Sequence, residues 1–218
     1  MKDMLSRAAS ALTESAGPSP RAPEIERILD AGLELFVEHG IKRTTIGDIA
    51  RAAGIDRVTV YRRVGGKDAV IHAVVTREAT ALFELVANEA RSGRTIDERV
   101  ELGFTSMMEQ IRGHSLLARM LKTEPETVLT QLTTEGTLLV TGATLATMRF
   151  FQEAVDDGLL DSAEGMEPSA ELLVRVVHSY LLTPQALIDL TTPQQLRAFA
   201  RTHIVPMVLM GTRTSQRP

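Results

Sequence analysis

The sequence predicts an all-α chain: an N-terminal three-helix helix-turn-helix domain, then a larger helical domain. Three observations carry this expectation. Every long segment repeats its apolar residues at helical spacing, and no run alternates as a strand would. The breaks between segments fall on Gly, Pro and Thr. Residues 44–67, TTIGDIARAAGIDRVTVYRRVGGK, read as two short helices joined by a tight glycine turn, the second with an exposed basic face.

Residues 1–22 are rich in Ala, Ser and Pro and end in SAGPSPRAP, the composition of a flexible arm. Arg7 and Arg21 could reach a minor groove or phosphate, set against the plainer expectation of a tail without a role. The first helix follows. Ile25, Ile28, Leu29, Leu33, Phe36 and Val37 form one stripe, Glu24 and Glu26 favour the first turn, and Gly40 closes the end. This helix is expected to be core.

Thr45 with Asp48 three positions on is a capping-box pattern, after which Ile46, Ile49, Ala50 and Ala53 recur at helical spacing. Gly54 suits a sharp corner because it can take a left-handed backbone. Asp56 is a good cap for a second helix whose Val60 and Val64 turn inward. Arg57, Thr59, Tyr61, Arg62 and Arg63 remain. In a major groove Arg can bond a guanine edge bidentately, Thr can meet a thymine methyl, and Tyr or Lys can hold phosphate. The alternative is an ordinary helical hairpin with a solvated basic face. Charge weighs against it: residues 42–67 hold seven basic residues and two acidic ones, +5, on a chain of net −4, leaving −9 elsewhere. One basic segment on an acidic chain suits a single surface that meets phosphates.

The block IERILDAGLELFVEHGIKRTTIGDIARAAGIDRVTVYRRVGGKDAVI resembles the N-terminal DNA-binding domain of the TetR family of transcriptional regulators, over residues 25–71. The resemblance implies that Thr44 and Thr45 open the second helix against a phosphate, and that Arg57, Thr59, Tyr61 and Arg62 form the recognition surface. Lys67 would begin the fourth helix and hold backbone phosphate, with Arg63 beside it in the basic row. Two positions depart from the family pattern: Val64 stands where an aromatic residue is usual, and Gly66 where Ser or a similar cap is usual. The resulting division is an arm at 1–22, a DNA-binding domain at 23–67, and a helical ligand-binding and dimerisation domain at 68–218.

With 44% hydrophobic residues the chain can bury a sizeable core. It has no cysteine, which excludes disulfides, thiolate metal sites and cysteine nucleophiles. No run approaches the roughly 20 apolar residues of a membrane helix, and no signal-peptide pattern opens the sequence, so a cytoplasmic protein without membrane contact is expected. His39, His72, His114, His178 and His203 are scattered, and no metal, cofactor or catalytic motif is found. The acidic residues Asp156, Asp157, Asp161 and Glu164 lack the alternating spacing of a calcium loop. The chain is therefore not expected to be an enzyme.

Beyond the DNA-binding block, helices are expected at about 67–91, 96–112, 115–122, 125–157, 169–183 and 193–210, with breaks or kinks inside the longest. Thr192-Pro193-Gln194-Gln195 is a strong start signal for the last. Leu172, Leu173, Val176, Val177, Tyr180 and Leu181 make one broad stripe, and Leu196, Phe199, Ala200, Ile204, Met207 and Val208 another. Leu173, Val176, Val177, Tyr180, Phe199, Ile204 and Met207 are the candidates for a homodimer interface, in which two helices from each copy form a bundle about a two-fold axis. The alternative is a pair of internal core helices. Phe83, Phe104, Met107, Met108, Ile111, Met120, Met148 and Phe151 could line a soft apolar effector site, though each taken singly also suits plain core.

The TetR resemblance implies that an effector in the larger domain moves the fourth helix and releases DNA by favouring one of two states. The partners expected are thus a double-stranded DNA operator, a small, largely apolar effector and a second copy of the chain. Most members of the family repress. Two other readings remain open: an architectural DNA-binding protein indifferent to small molecules, and a helical-bundle enzyme.

Overall fold

The computed structural model describes residues 23–134, 136–183 and 187–214; the N-terminal arm, with Arg7 and Arg21, lies outside the described residues. Helices account for the regular structure, and no strand occurs among the described residues. They are α1 (Pro23–His39), α2 (Ile46–Ala52), α3 (Arg57–Arg63), α4 (Lys67–Ala90), α5 (Ile96–Gly113), α6 (Ser115–Thr123), α7 (Pro125–Leu132), α8 (Thr137–Asp156), α9 (Glu167–Leu182), α10 (Pro193–Phe199) and α11 (Val205–Thr214). A π-helical turn, Ala200–Ile204, joins the last two.

The expected helices are recovered within a few residues, including a break inside the longest. The segment expected at 125–157 is two helices, because the chain tightens at Gly136 until a Cβ there would lie 2.9 Å from the Leu132 carbonyl oxygen. The last helix widens into the π turn just before Pro206, a residue with no N–H to continue the α-helical ladder. Elsewhere the caps hold: Thr192 and Gln195 form a reciprocal capping box at α10, with Pro193 in the first turn.

The contacts divide the chain into two compact units. The first comprises residues up to Thr80 together with His114–Leu139; the second comprises Ala81–Gly113 and the residues from Val140 onward. This differs from the division expected at residue 67. α4 crosses the observed boundary between Thr80 and Ala81, and α6 and α7 belong with α1 to α3. The reason is packing: Leu116, 3% exposed, and Met120 sit against the core of the first unit.

That core gathers Ile28, Leu29 and Phe36 of α1, Ile46 and Ile49 of α2, Val60 of α3, and Val70 and Val74 of α4. Each such side chain stabilises the fold by about 1.5 to 3 kcal/mol on burial. Gly32 lets α4 approach α1, since a Cβ there would already press on Val70 and Val74 at 3.3 Å. Arg77 then bridges to Asp30 at 2.7 Å and Glu26 at 3.2 Å, fastening α4 along α1.

In the second unit α10, the π turn and α11 lie along α5, and α9 packs on both α5 and α11. Its core centres on Val100, Phe104, Phe151, Met166, Leu196, Ile204 and Val208. Arg99 is a charged group within it. Its guanidinium meets Asp157 at 2.7 Å and donates to the Gly93 carbonyl at 3.3 Å, which spares the buried cation an uncompensated desolvation cost.

Candidate nucleic-acid interface

The reading head is α2, a turn, and α3. Thr45 and Asp48 form the expected reciprocal box: the Asp48 N–H donates to the Thr45 hydroxyl oxygen at 3.2 Å, and the Thr45 N–H donates to Asp48 Oδ2 at 3.1 Å. Gly54 turns the chain at φ +66°, a conformation costly for a residue with a Cβ. Asp56 caps α3, accepting from the Thr59 N–H at 2.8 Å and the Thr59 hydroxyl at 2.9 Å. Val60 is fully buried, so the orientation of α3 is fixed from beneath. Gly65, at φ +116°, then lets the chain leave α3 and enter α4 at Lys67, as expected.

Hydrogen bonding holds both capping carboxyls below the ordinary aspartate pKa. The Thr45 hydroxyl is the largest cause at Asp48, followed by its N–H; at Asp56 it is the Thr59 N–H, followed by its hydroxyl. A depressed folded-state pKa means that the stabilisation is complete above the unfolded value and is lost as pH falls through the folded one. Acidification through and below the ordinary aspartate range should therefore fray the first turns of α2 and α3. A carboxyl-carbon NMR titration, read beside amide exchange in those turns, checks this; ordinary midpoints at both residues would contradict it.

The exposed face of α3 contains Arg57, Val58, Tyr61 and Arg62, with Val58 72% and Tyr61 58% exposed. Val58 is absent from the sequence-derived candidates although its signal was present. It stands two residues before the buried Val60 and Arg62 two after, about 200° around the helix either way, so both point away from the core. An exposed valine suits a thymine methyl. Arg57 lies across α2, because a Cβ on Gly47 would collide with its guanidinium. Gly47 thus leaves room for the first cation of the reading helix.

Four of the candidates make polar contacts within the first unit. Thr44 is 2% exposed, and its hydroxyl donates to the carbonyls of Gly40 at 2.9 Å and Leu35 at 3.3 Å; it ties the end of α1 and does not present itself to a phosphate. Thr59 is half-buried with its hydroxyl turned to Asp56, leaving little beyond its methyl for a base. Arg63 is paired with Glu24 at 2.6 Å, which fastens α3 to the start of α1. Lys67 is half-buried, and its ammonium donates to the Lys42 carbonyl at 3.1 Å.

The effector candidates do not gather in one place. Met120 packs on the core of the first unit, whereas Phe104, Met108 and Phe151 are interior side chains of the second, at 2%, 6% and 0% exposure. Phe83, Met107, Ile111 and Met148 are half-buried. Of the interface candidates, Ile204 is core at 2% exposure. Leu173, Val176, Val177, Tyr180, Phe199 and Met207 are partly buried against the same core. Phe199 lies 5.9 Å, centroid to centroid, from both Phe104 and Tyr180, so an expected effector residue and two expected interface residues form one aromatic cluster. Helical spacing identifies apolar stripes; it does not say which stripe meets which. No group of three or more metal-ligating side chains occurs among the described residues, and no described helix is long and apolar enough to cross a membrane.

A buried helix, a glycine turn and an exposed basic second helix define a helix-turn-helix nucleic-acid-binding module. Residues 28–74 match the family model of bacterial regulatory proteins, tetR family, so this segment is similar to the DNA-binding domain of that family. It is similar to an HTH-type transcriptional regulator of Mycobacterium bovis, at 29% identity over 124 residues, which are 53% of this chain and 64% of that protein. It is also similar to the HTH-type transcriptional regulator SrpR of Pseudomonas putida, at 46% identity over 50 residues, 23% of this chain and 24% of that one. These matches span less than two thirds of either relative. Over the whole fold, the crystal structure of the TetR family repressor AlkX from Dietzia sp. strain DQ12-45-1b shares a TM-score of 0.63 at 20% identity, covering 90% of this chain and 98% of that one.

Proposed function

We propose that the chain is a DNA-binding transcriptional regulator, a repressor that reads a palindromic duplex operator as a homodimer and leaves it when a small, largely apolar effector binds. The observation that carries the reading is the face of α3, where Arg57, Val58, Tyr61 and Arg62 stand exposed on a helix whose other side is anchored by Val60. A single helix of this length offers few base contacts. Two related by a dyad would read half-sites about one helical turn, roughly 34 to 36 Å, apart. The partly covered stripes of α9 to α11, with Leu172 at 51% and Met210 at 65% exposure, supply apolar surface for the second copy. Among the effector candidates of the second unit, the half-buried Phe83, Met107, Ile111 and Met148 would meet such a ligand. Such a protein works in the cytoplasm.

The test is a pair of substitutions on an operator selected from random duplexes. Arg62→Ala should weaken operator binding by about 1 to 3 kcal/mol and nonspecific duplex binding much less. Lys67→Ala should weaken all sequences alike and flatten the salt dependence. Sedimentation of the complex should give two chains per palindrome. Equal losses for both variants on both kinds of DNA, or a single chain on a tightly bound palindrome, would defeat the reading.

A further inference from the structure

Glu124 ends α6 and precedes Pro125 at the first position of α7. Glu124 stands at the N-cap position of α7 and makes no capping bond to that helix. Its side chain is turned into the first unit instead, the residue is 6% exposed, and Oε1 accepts from the Lys42 N–H at 3.1 Å, 82 positions away in sequence. The other side of the same residue is also held: the Lys42 carbonyl accepts from the Lys67 ammonium at 3.1 Å. One residue of the α1–α2 connection therefore joins the α6–α7 corner to the first residue of α4.

Leu116 and Met120 hold α6 on the first unit by packing, and the Glu124 link adds polar bonds at its far end. The corner borders a cleft of about 280 Å³, lined by His39, Gly40, Arg43, Arg119 and Thr123 as well as Glu124 and Lys42. Polar bonds define the corner here, including one from Arg119 to the Glu38 carbonyl at 2.9 Å. The buried carboxylate has no ion-pair partner among the described residues, so a backbone N–H is what compensates its desolvation.

We propose that Glu124 is a positioning residue for DNA binding: through the Lys42 backbone it sets Lys67, and with it the phosphate-facing charge at the start of α4. The inference rests on the reading of the chain as a DNA-binding regulator.

Three variants of the full-length chain test it on a selected operator and on a mixed-sequence duplex, with Lys42 amide exchange followed in the free protein. Glu124→Leu removes the acceptor. It should speed Lys42 exchange, weaken both duplexes roughly 3- to 10-fold and reduce the slope of log affinity against log salt by about 1.8, the value of one phosphate contact from each of two copies. Glu124→Gln keeps a carbonyl oxygen and should restore slope and exchange. Adding Lys67→Met to Glu124→Leu should cost nothing further in slope, because both act through one cation. A purely structural role for Glu124 would lower affinity with the slope intact, or would make the two losses add, and either result overturns the proposal. If the parent chain binds neither duplex, the DNA-binding reading itself fails; if the parent binds and only the slope is unmoved by Glu124→Leu, the positioning role alone fails.

Discussion

Replacing Phe104 with alanine should destabilise the second unit by about 3 to 5 kcal/mol, the usual cost of removing a buried aromatic side chain. The site has little means of collapsing. Phe104 is 2% exposed between Val100 and Met108 on α5, and its ring lies 5.9 Å from that of Phe199. Phe199 is in turn held by Tyr180 at 5.9 Å and by the His203 ring at 5.0 Å, so the neighbours cannot swing into the void without breaking their own contacts. A side chain lining a vacant effector site would give a different result, since truncation there removes fewer contacts. Urea unfolding decides between them. A loss under about 1 kcal/mol would return Phe104 to the effector site.

The second large effect is expected where the sequence pointed to the other domain. Leu116→Ala should cost about 2 to 5 kcal/mol, and the loss should fall on the first unit, because Leu116 of α6 is 3% exposed within the core shared by α1 and α4. The chain carries its own reporters: of its two tyrosines, Tyr61 lies in the first unit and Tyr180 in the second, and there is no tryptophan. Fluorotyrosine labelling would give one fluorine resonance from each. In the Leu116→Ala variant the Tyr61 signal should convert to its unfolded position at lower urea, with Tyr180 moving less. The reverse order would mean that α6 stabilises the second unit.

What could be read in advance follows the range of each physical signal. Capping is local, and Thr45, Asp56 and Thr192 stand where their side-chain oxygens accept from the backbone N–H three residues on, as the sequence implies. Helical period is likewise local, and the inward turn of Val60 is visible from its neighbours. The family match over 28–74 corresponds to the block of local motifs. Partner choice is not local. Met120 and Met108 are indistinguishable as members of apolar stripes, yet one enters the core of the first unit and the other that of the second. The same limit explains Thr44 and Arg63. Their residue types suit a phosphate, but a carbonyl nine residues back and a carboxylate 39 residues back claim them first.

The split composition of the first unit has a bearing on how such a protein can be cut and joined. A DNA-binding half that ended at Lys67 or at Thr80 would be complete in its sequence motifs but would leave bare the strip of α1 on which α6 lies, since the residues that cover it begin at His114. The reading head is therefore not a detachable cassette. In any lineage where heads and bodies were exchanged by recombination, a crossover between α4 and α6 would pair one parent's α1 with the other's α6. Leu116 and its neighbours would then have to change in step with the DNA-binding helices, although they are encoded beyond the motif that names them.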